Sequence, residues 1–168
     1  MTDQNNIISS EEEDARVASL QARFTQALQA RRDGDVDSAA ELLRGILKVE
    51  PRLAEPRMEL SHLLLSTGQT DEAEEHAREA IRILETGGQW TDDIPENVLL
   101  ALAYDHLGES LRQRADSDEI IFGPPDMLKK LHSEARSIFR KASTLDPDNE
   151  HAWYWSFSPS ERPNPAEE

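Results

Sequence analysis

Carboxylates and histidines are the residues of this chain able to bind a metal or move a proton, and their spacing suits neither task. Asp146-Pro147-Asp148-Asn149-Glu150 sets acids at alternate positions, as a calcium loop does. His151 stands where such a loop needs glycine, however, and no glutamate follows six residues later. The stretch reads instead as a turn between helices. Glu72, Glu74, Glu75 and His76 are neighbours in sequence, but on a helix they point in several directions, as on a solvated face. His62, His106, His132 and His151 are scattered, with no pair of histidines at the spacing of a helical zinc site. The sequence has no glycine-rich phosphate loop and no serine nucleophile elbow. With no cysteine there is no disulfide, thiolate metal site or cysteine nucleophile. Catalysis, a cofactor and a metal are therefore not expected.

The elements that position these residues must fit in 168 residues, room for one domain with tails. Asp and Glu number 34 against 18 Lys and Arg, a net charge of −16. That balance opposes nucleic acid, whose phosphates need cations, and opposes an anionic membrane surface. The start, MTDQNNIISSEEED, has no basic region followed by an apolar one, so it does not read as a signal peptide, and the expected location is the cytoplasm. No apolar run approaches the roughly 20 residues that span a bilayer. Residues 1–15 hold five acids and no base, and residues 88–130 hold nine acids against four bases. Residues 1–9 are polar with little to bury and are expected to be disordered. Residues 159–168, rich in proline, are expected to form a flexible tail.

Between the tails the texture is helical. Ala, Leu, Glu and Arg dominate, and apolar residues recur at spacings of three and four. A longer period lies above this one. Ala39, Leu43, Ile46 and Pro51 recur 34 residues later as Ala73, Ala77, Ala80 and Glu85, and a third time as Ala135, Phe139, Ala142 and Pro147. Each set is one helix face, on which a small alanine lets a neighbouring helix approach and a residue one turn later fills the groove. An antiparallel partner precedes each face: Gln26-Ala27 with Ala30, Leu60-Ser61 with Leu64, and Tyr104 with Leu107-Gly108 and Leu111. Gly108 permits a close crossing that offsets its cost of about 1 kcal/mol in a helix. Gly34 and Gly68 each stand five residues before the small alanine of the next helix and mark the turns.

In these residues the chain resembles the tetratricopeptide repeat family, over about residues 18–153. The resemblance implies an all-α, right-handed helical solenoid of about seven helices, with repeats at about 20–53, 54–86 and 98–149. It departs from the family pattern where Glu85 replaces a terminal proline, and where Arg23, Arg57 and Tyr104 hold the slot of a leading tryptophan. The third copy is displaced by 28 residues beyond one period. Thirteen of these precede the repeat, near Thr86–Asn97, and the rest form an insert at 115–129 between its two helices. Gly123-Pro124-Pro125 breaks any helix there, so the next helix is expected to start near Pro125–Asp126. The first helix is expected to start with a capping box of Ser10 and Glu13 and to run to about Arg32.

The resemblance also implies where binding occurs, since in this family the first helix of each repeat lines a groove. By position the groove residues are Phe24, Leu28 and Arg31, then Met58, His62 and Leu65, then Asp105, Glu109 and Arg112. Phe24, Leu28 and Leu65 equally suit packing between helices, whereas Met58, with its adaptable thioether, suits a groove contact. The Lys/Asn clamp with which some members hold a C-terminal carboxylate is missing, because Phe24, Leu28, Met58 and His62 occupy those slots. Two further groups stand out. Ile120, Ile121 and Phe122 are an apolar triplet among acids, which either tucks back on the repeats or anchors a partner. Trp153, Tyr154, Trp155 and Phe157 lie in the segment 150–158, where a fourth repeat would begin, and either cap the third or meet a partner.

The expected function is a non-catalytic protein-interaction module, an adaptor or chaperone-like binder of a peptide or helix with apolar anchors and basic residues. The alternative is a structural subunit that self-associates through its aromatic end, so a homo-oligomer stays open.

Overall fold

A computed structural model gives the structure of residues 9–91 and 93–162. It divides into two units, Met1–Pro51 and Arg52–Glu168. The expected disordered start, 1–9, lies outside the described residues except for Ser9, and the expected flexible tail, 159–168, except for residues 159–162. Among those described, eight helices and no strand are present.

The first unit is a helical hairpin of α1 (Ser10–Arg32) and α2 (Val36–Val49). The cap of α1 is Ser9 with Glu12 rather than Ser10 with Glu13. The Ser9 side chain accepts from Glu12 N at 3.3 Å, and Ser9 N donates to the Glu12 carboxylate at 3.0 Å. The run Ser9-Ser10-Glu11-Glu12-Glu13 holds the capping pattern in two registers one residue apart, so sequence alone does not separate them. Gly34, at φ 80°, makes the turn, a backbone region that costs glycine nothing, and Asp35 caps α2 by accepting from Ser38 N at 3.1 Å. Arg16 ties the start of α1 to the end of α2, donating to Val49 O at 3.2 Å and to the Glu50 carboxylate at 3.1 Å.

The second unit holds α3 (Ala54–Ser66), α4 (Thr70–Glu85), α5 (Glu96–Ala115), a single turn α6 (Asp118–Ile121), α7 (Pro125–Leu145) and the short α8 (Glu150–Trp155). Helix α4 packs against α3 and α5, α7 against α5, and α8 against α7. The repeating face carries this packing, for Ala73, Ala77, Ala80, Phe139 and Ala142 are all essentially inaccessible. Ser61, buried in α3, donates to Ala73 O at 2.9 Å and fixes the α3–α4 approach with a satisfied polar group. A Cβ built on Gly108 would lie 2.8 Å from the Phe139 ring, so glycine is required where α5 crosses α7.

Glu85, which breaks the proline pattern at the end of α4, has a use of its own. It accepts a hydrogen bond from the Tyr104 hydroxyl at 2.7 Å and so joins α4 to α5. Burial and this acceptor push the Tyr104 pKa up to about 12. The segment between α4 and α5 is held from below by Glu55, whose buried carboxylate accepts from Trp90 N and Thr91 N, each at 2.9 Å. The segment 115–129 is not one loop, since α6 and the first turn of α7 lie inside it, and Pro125 occupies the first turn of α7.

Candidate functional site

Helices α3, α5 and α8 line an open cavity of about 460 Å³. Four residues singled out in the sequence line it: His62 and Leu65 from α3, Asp105 and Glu109 from α5. Ser66, Leu102, His106 and Gln113 complete those two walls, and His151 closes the cavity from α8. Positions 105 and 109 are one turn apart, so α5 presents two carboxylates on one face. His62 and His106 lie with ring centroids 5.5 Å apart across the α3–α5 boundary.

His151 was not singled out as a binding residue, because α8 reads in sequence as a cap. Its Nδ1 lies 2.8 Å from Asp105 Oδ1 and its Nε2 3.9 Å from Glu109 Oε2. The signal was present in the placement of α8 at the start of a fourth repeat, where a first helix would supply the next groove residue.

The charges in the cavity are coupled. Burial works against the Glu109 carboxylate, but hydrogen bonds from Arg112 at 2.6 and 2.8 Å and from Gln113 at 2.9 Å, with the arginine's charge, hold its pKa below the usual range. The hydrogen bond to Asp105 raises the His151 pKa; burial opposes the rise, and the charges of Asp105 and Glu109 support it. The folded chain therefore holds this proton more tightly than the unfolded chain does. Below the unfolded value of about 6.5 both states carry the proton and the pair contributes fully; that contribution is lost as pH rises through the higher folded value. The His151 side chain is 47% exposed, so solvent screening limits the effect to roughly 0.2–1 kcal/mol. Urea unfolding at pH 6 and pH 8.5 is expected to show this increment at the lower pH in the natural chain and not in Asp105→Asn. An equal pH dependence in both proteins would remove the pair's role.

The other sequence candidates lie elsewhere. Met58 is 5% exposed, belongs to the buried hydrophobic cluster of the second unit and does not line this cavity. The reason is that α3 buries nine of its 13 residues, so its apolar surface extends around the helix and no single face marks a groove. Arg112 lines a second cavity, with its guanidinium 4.6 Å over the Trp155 ring. Phe24, Leu28 and Arg31 are half-buried on α1 in the first unit. The apolar triplet divides, since Ile120 packs against the core while Ile121 and Phe122 are exposed, Phe122 by 83%. The aromatic end divides likewise. Trp155 packs against the core and stacks with Phe139 at 6.5 Å, whereas Trp153 is 46% exposed and meets Phe157 edge-on at 5.1 Å.

The acidic stretch Asp146–Glu150 serves as a turn. Asp146 Oδ1 accepts from Asp148 N at 3.2 Å, and the Asn149 side chain caps α8 by accepting from Ala152 N at 2.9 Å. No helix among the described residues is long and apolar enough to cross a membrane.

A search of curated proteins finds no match to this sequence. Residues 30–83 match the family model described as tetratricopeptide repeat. Among solved structures the chain is similar to the Arabidopsis OM64 TPR domain, at 15% identity and a TM-score of 0.63, over 83% of this chain and 93% of that one. The chain therefore carries tetratricopeptide repeats, matched over residues 30–83, in the all-helical fold of a tetratricopeptide-repeat domain.

Proposed function

We propose that this protein is a non-catalytic interaction module that binds a peptide or helix carrying a basic residue beside apolar ones. The observation that carries the reading is the cavity between α3, α5 and α8, where Asp105 and Glu109 stand next to Leu65 and Leu102. Carboxylates beside apolar side chains in a cavity wall suit a Lys or Arg flanked by an aliphatic anchor, and the net charge of −16 favours encounter with a basic partner. Tetratricopeptide repeats are a protein-interaction fold, which supports the general class. The adaptor or chaperone-like role, the cytoplasmic setting and a separate contact through Phe24, Leu28 and Arg31 belong to the same proposal.

Selection of a displayed random peptide library on the full chain tests it. Selected peptides are expected to be enriched in Lys or Arg next to Leu, Ile or Phe. Their affinity is expected to fall by about tenfold or more, about 1.4 kcal/mol, in Asp105→Asn with Glu109→Gln. Selected peptides without basic residues, or an affinity unchanged by the double substitution, would rule the reading out.

Self-association through the aromatic end is the second reading, favoured by the exposure of Trp153 beside Phe157. Light scattering decides it. A dimer mass that reverts to monomer in Trp153→Ala supports self-association, and a monomer in both proteins excludes it.

A further inference from the structure

We propose that the second cavity, of about 480 Å³, is a binding subsite for an acidic peptide segment that also presents an apolar side chain. It is lined by α5, α7, α8 and the segment after α8, and its charge is opposite to that of the chain as a whole. Lys129, Arg136 and Arg162 converge on it, with Arg112 and His132 beside them, and Asp116 is the one carboxylate among its lining residues. In a chain with nearly two acids per base, that gathering of cations needs a reason.

The cations differ in how far they are already engaged. Arg112 is bonded to Glu109 and, at 2.9 Å, to Asp116, so its charge and that of Asp116 are already partly offset. Lys129, Arg136 and Arg162 have no ion-pair partner among the described residues. Glu161 lies within the field of Arg136, but its carboxylate is bonded to Ser158, to the hydroxyl at 2.5 Å and the amide at 3.2 Å. The Arg162 Nε is shielded from solvent with no acceptor among the described residues, while its guanidinium rests 4.2 Å above Trp155 and 5.3 Å from Tyr154. A shielded donor without an acceptor is costly, and an incoming carboxylate removes that cost.

Leu128, Phe139 and Trp155 give the cavity an apolar floor, and its volume suits one or two side chains rather than a large cofactor. Arg136 and Arg162 supply planar donors suited to carboxylates, and Lys129 supplies a mobile charge at the rim. The Glu109–Arg112 pair forms the boundary between the two cavities, with Glu109 facing the acidic one and Arg112 the basic one. Helix α8 spans the same boundary, with His151 lining one cavity and Trp155 the other. A partner that follows this surface therefore carries a basic stretch and an acidic stretch in succession.

The test is calorimetric titration of the full chain with acetyl-Glu-Glu-Phe-Glu-Glu-amide and with the same peptide bearing Gln for every Glu. The acidic peptide is expected to bind saturably and at least about tenfold more tightly than the Gln peptide. Binding is expected to weaken by at least about tenfold in Lys129→Glu with Arg136→Glu, with the helical circular dichroism unchanged. Should that variant lose helicity, Lys129→Gln with Arg136→Gln takes its place and the same weakening is expected. Equal binding of the two peptides, or acidic-peptide binding untouched by either double variant, would overturn the proposal. Tightening by about tenfold in Glu167→Gln with Glu168→Gln would assign the cavity to the chain's own acidic residues and overturn it as well. Basic peptides selected on the other cavity are expected to bind the Lys129/Arg136 variants unchanged, so the two sites fail independently.

Discussion

Gly108→Ala is expected to destabilise the protein by about 1–3 kcal/mol, although alanine is the better helix former by about 1 kcal/mol. The new Cβ would stand 2.8 Å from Cδ1 and Cε1 of Phe139 and 3.0 Å from Cγ. The ring cannot yield cheaply, because Phe139 is 1% exposed and held by the α5–α7 packing and by His151 and Trp155. Gly45 supplies the internal control. It lies within α2 with nothing within 4 Å of the position its Cβ would take. Gly45→Ala is therefore expected to stabilise by about 0.5–1 kcal/mol, so the same substitution has opposite signs at the two sites. Urea unfolding of the two variants checks this. A Gly108→Ala protein as stable as Gly45→Ala would mean that α5 and α7 do not cross at Gly108.

Met58→Glu is expected to be the more damaging change, at about 3–5 kcal/mol, because it leaves a charge buried without a partner. Met58 is 5% exposed and belongs to a buried cluster that also holds Ala54, Ala77, Ala80, Ile81 and Leu84. Domains of this size are stable by only about 5–15 kcal/mol, so the loss is a large part of the total. Met58→Leu conserves volume and is expected to cost less than about 1.5 kcal/mol. Thermal denaturation followed by circular dichroism separates the two. A Met58→Glu protein with an unchanged melting temperature would return Met58 to the surface and to the groove.

The two substitutions mark what was legible in the sequence and what was not. Gly108 was legible, because a glycine in the middle of a strong helical pattern, flanked by Leu107 and Leu111, has few uses besides a close crossing. The small–large face of Ala73, Ala135 and Phe139 was legible for the same reason, since one steric requirement recurs with one spacing. Met58 was not legible. Helix α3 is covered on most sides, and the resulting apolar pattern carries no direction. The register of the α1 cap was hidden by two adjacent serines ahead of three glutamates, and only the extended backbone of Ser9 selects between them.

The site shows the same division. Family position brought His62, Leu65, Asp105 and Glu109 to one cavity, whereas His151 and Arg162 reach their cavities through α8 and the turn after it. Contacts of that kind span 46 residues between Asp105 and His151. They depend on how a short terminal helix docks, for which periodicity has no signal. The buried Glu55 carboxylate beneath Trp90 and Thr91 belongs to the same class, because an acid in the first turn of a helix reads in sequence as a solvated dipole partner.

The central claim is that the cavity between α3, α5 and α8 receives the basic part of a peptide. Amide chemical-shift mapping of the full chain with a library-selected basic peptide tests it most directly. The account predicts that Leu65, Asp105, Glu109 and His151 shift together on titration, and that the shifts vanish in Asp105→Asn with Glu109→Gln. Shifts confined to Ile121 and Phe122, or to Trp153 and Phe157, with the cavity residues unmoved, would contradict it.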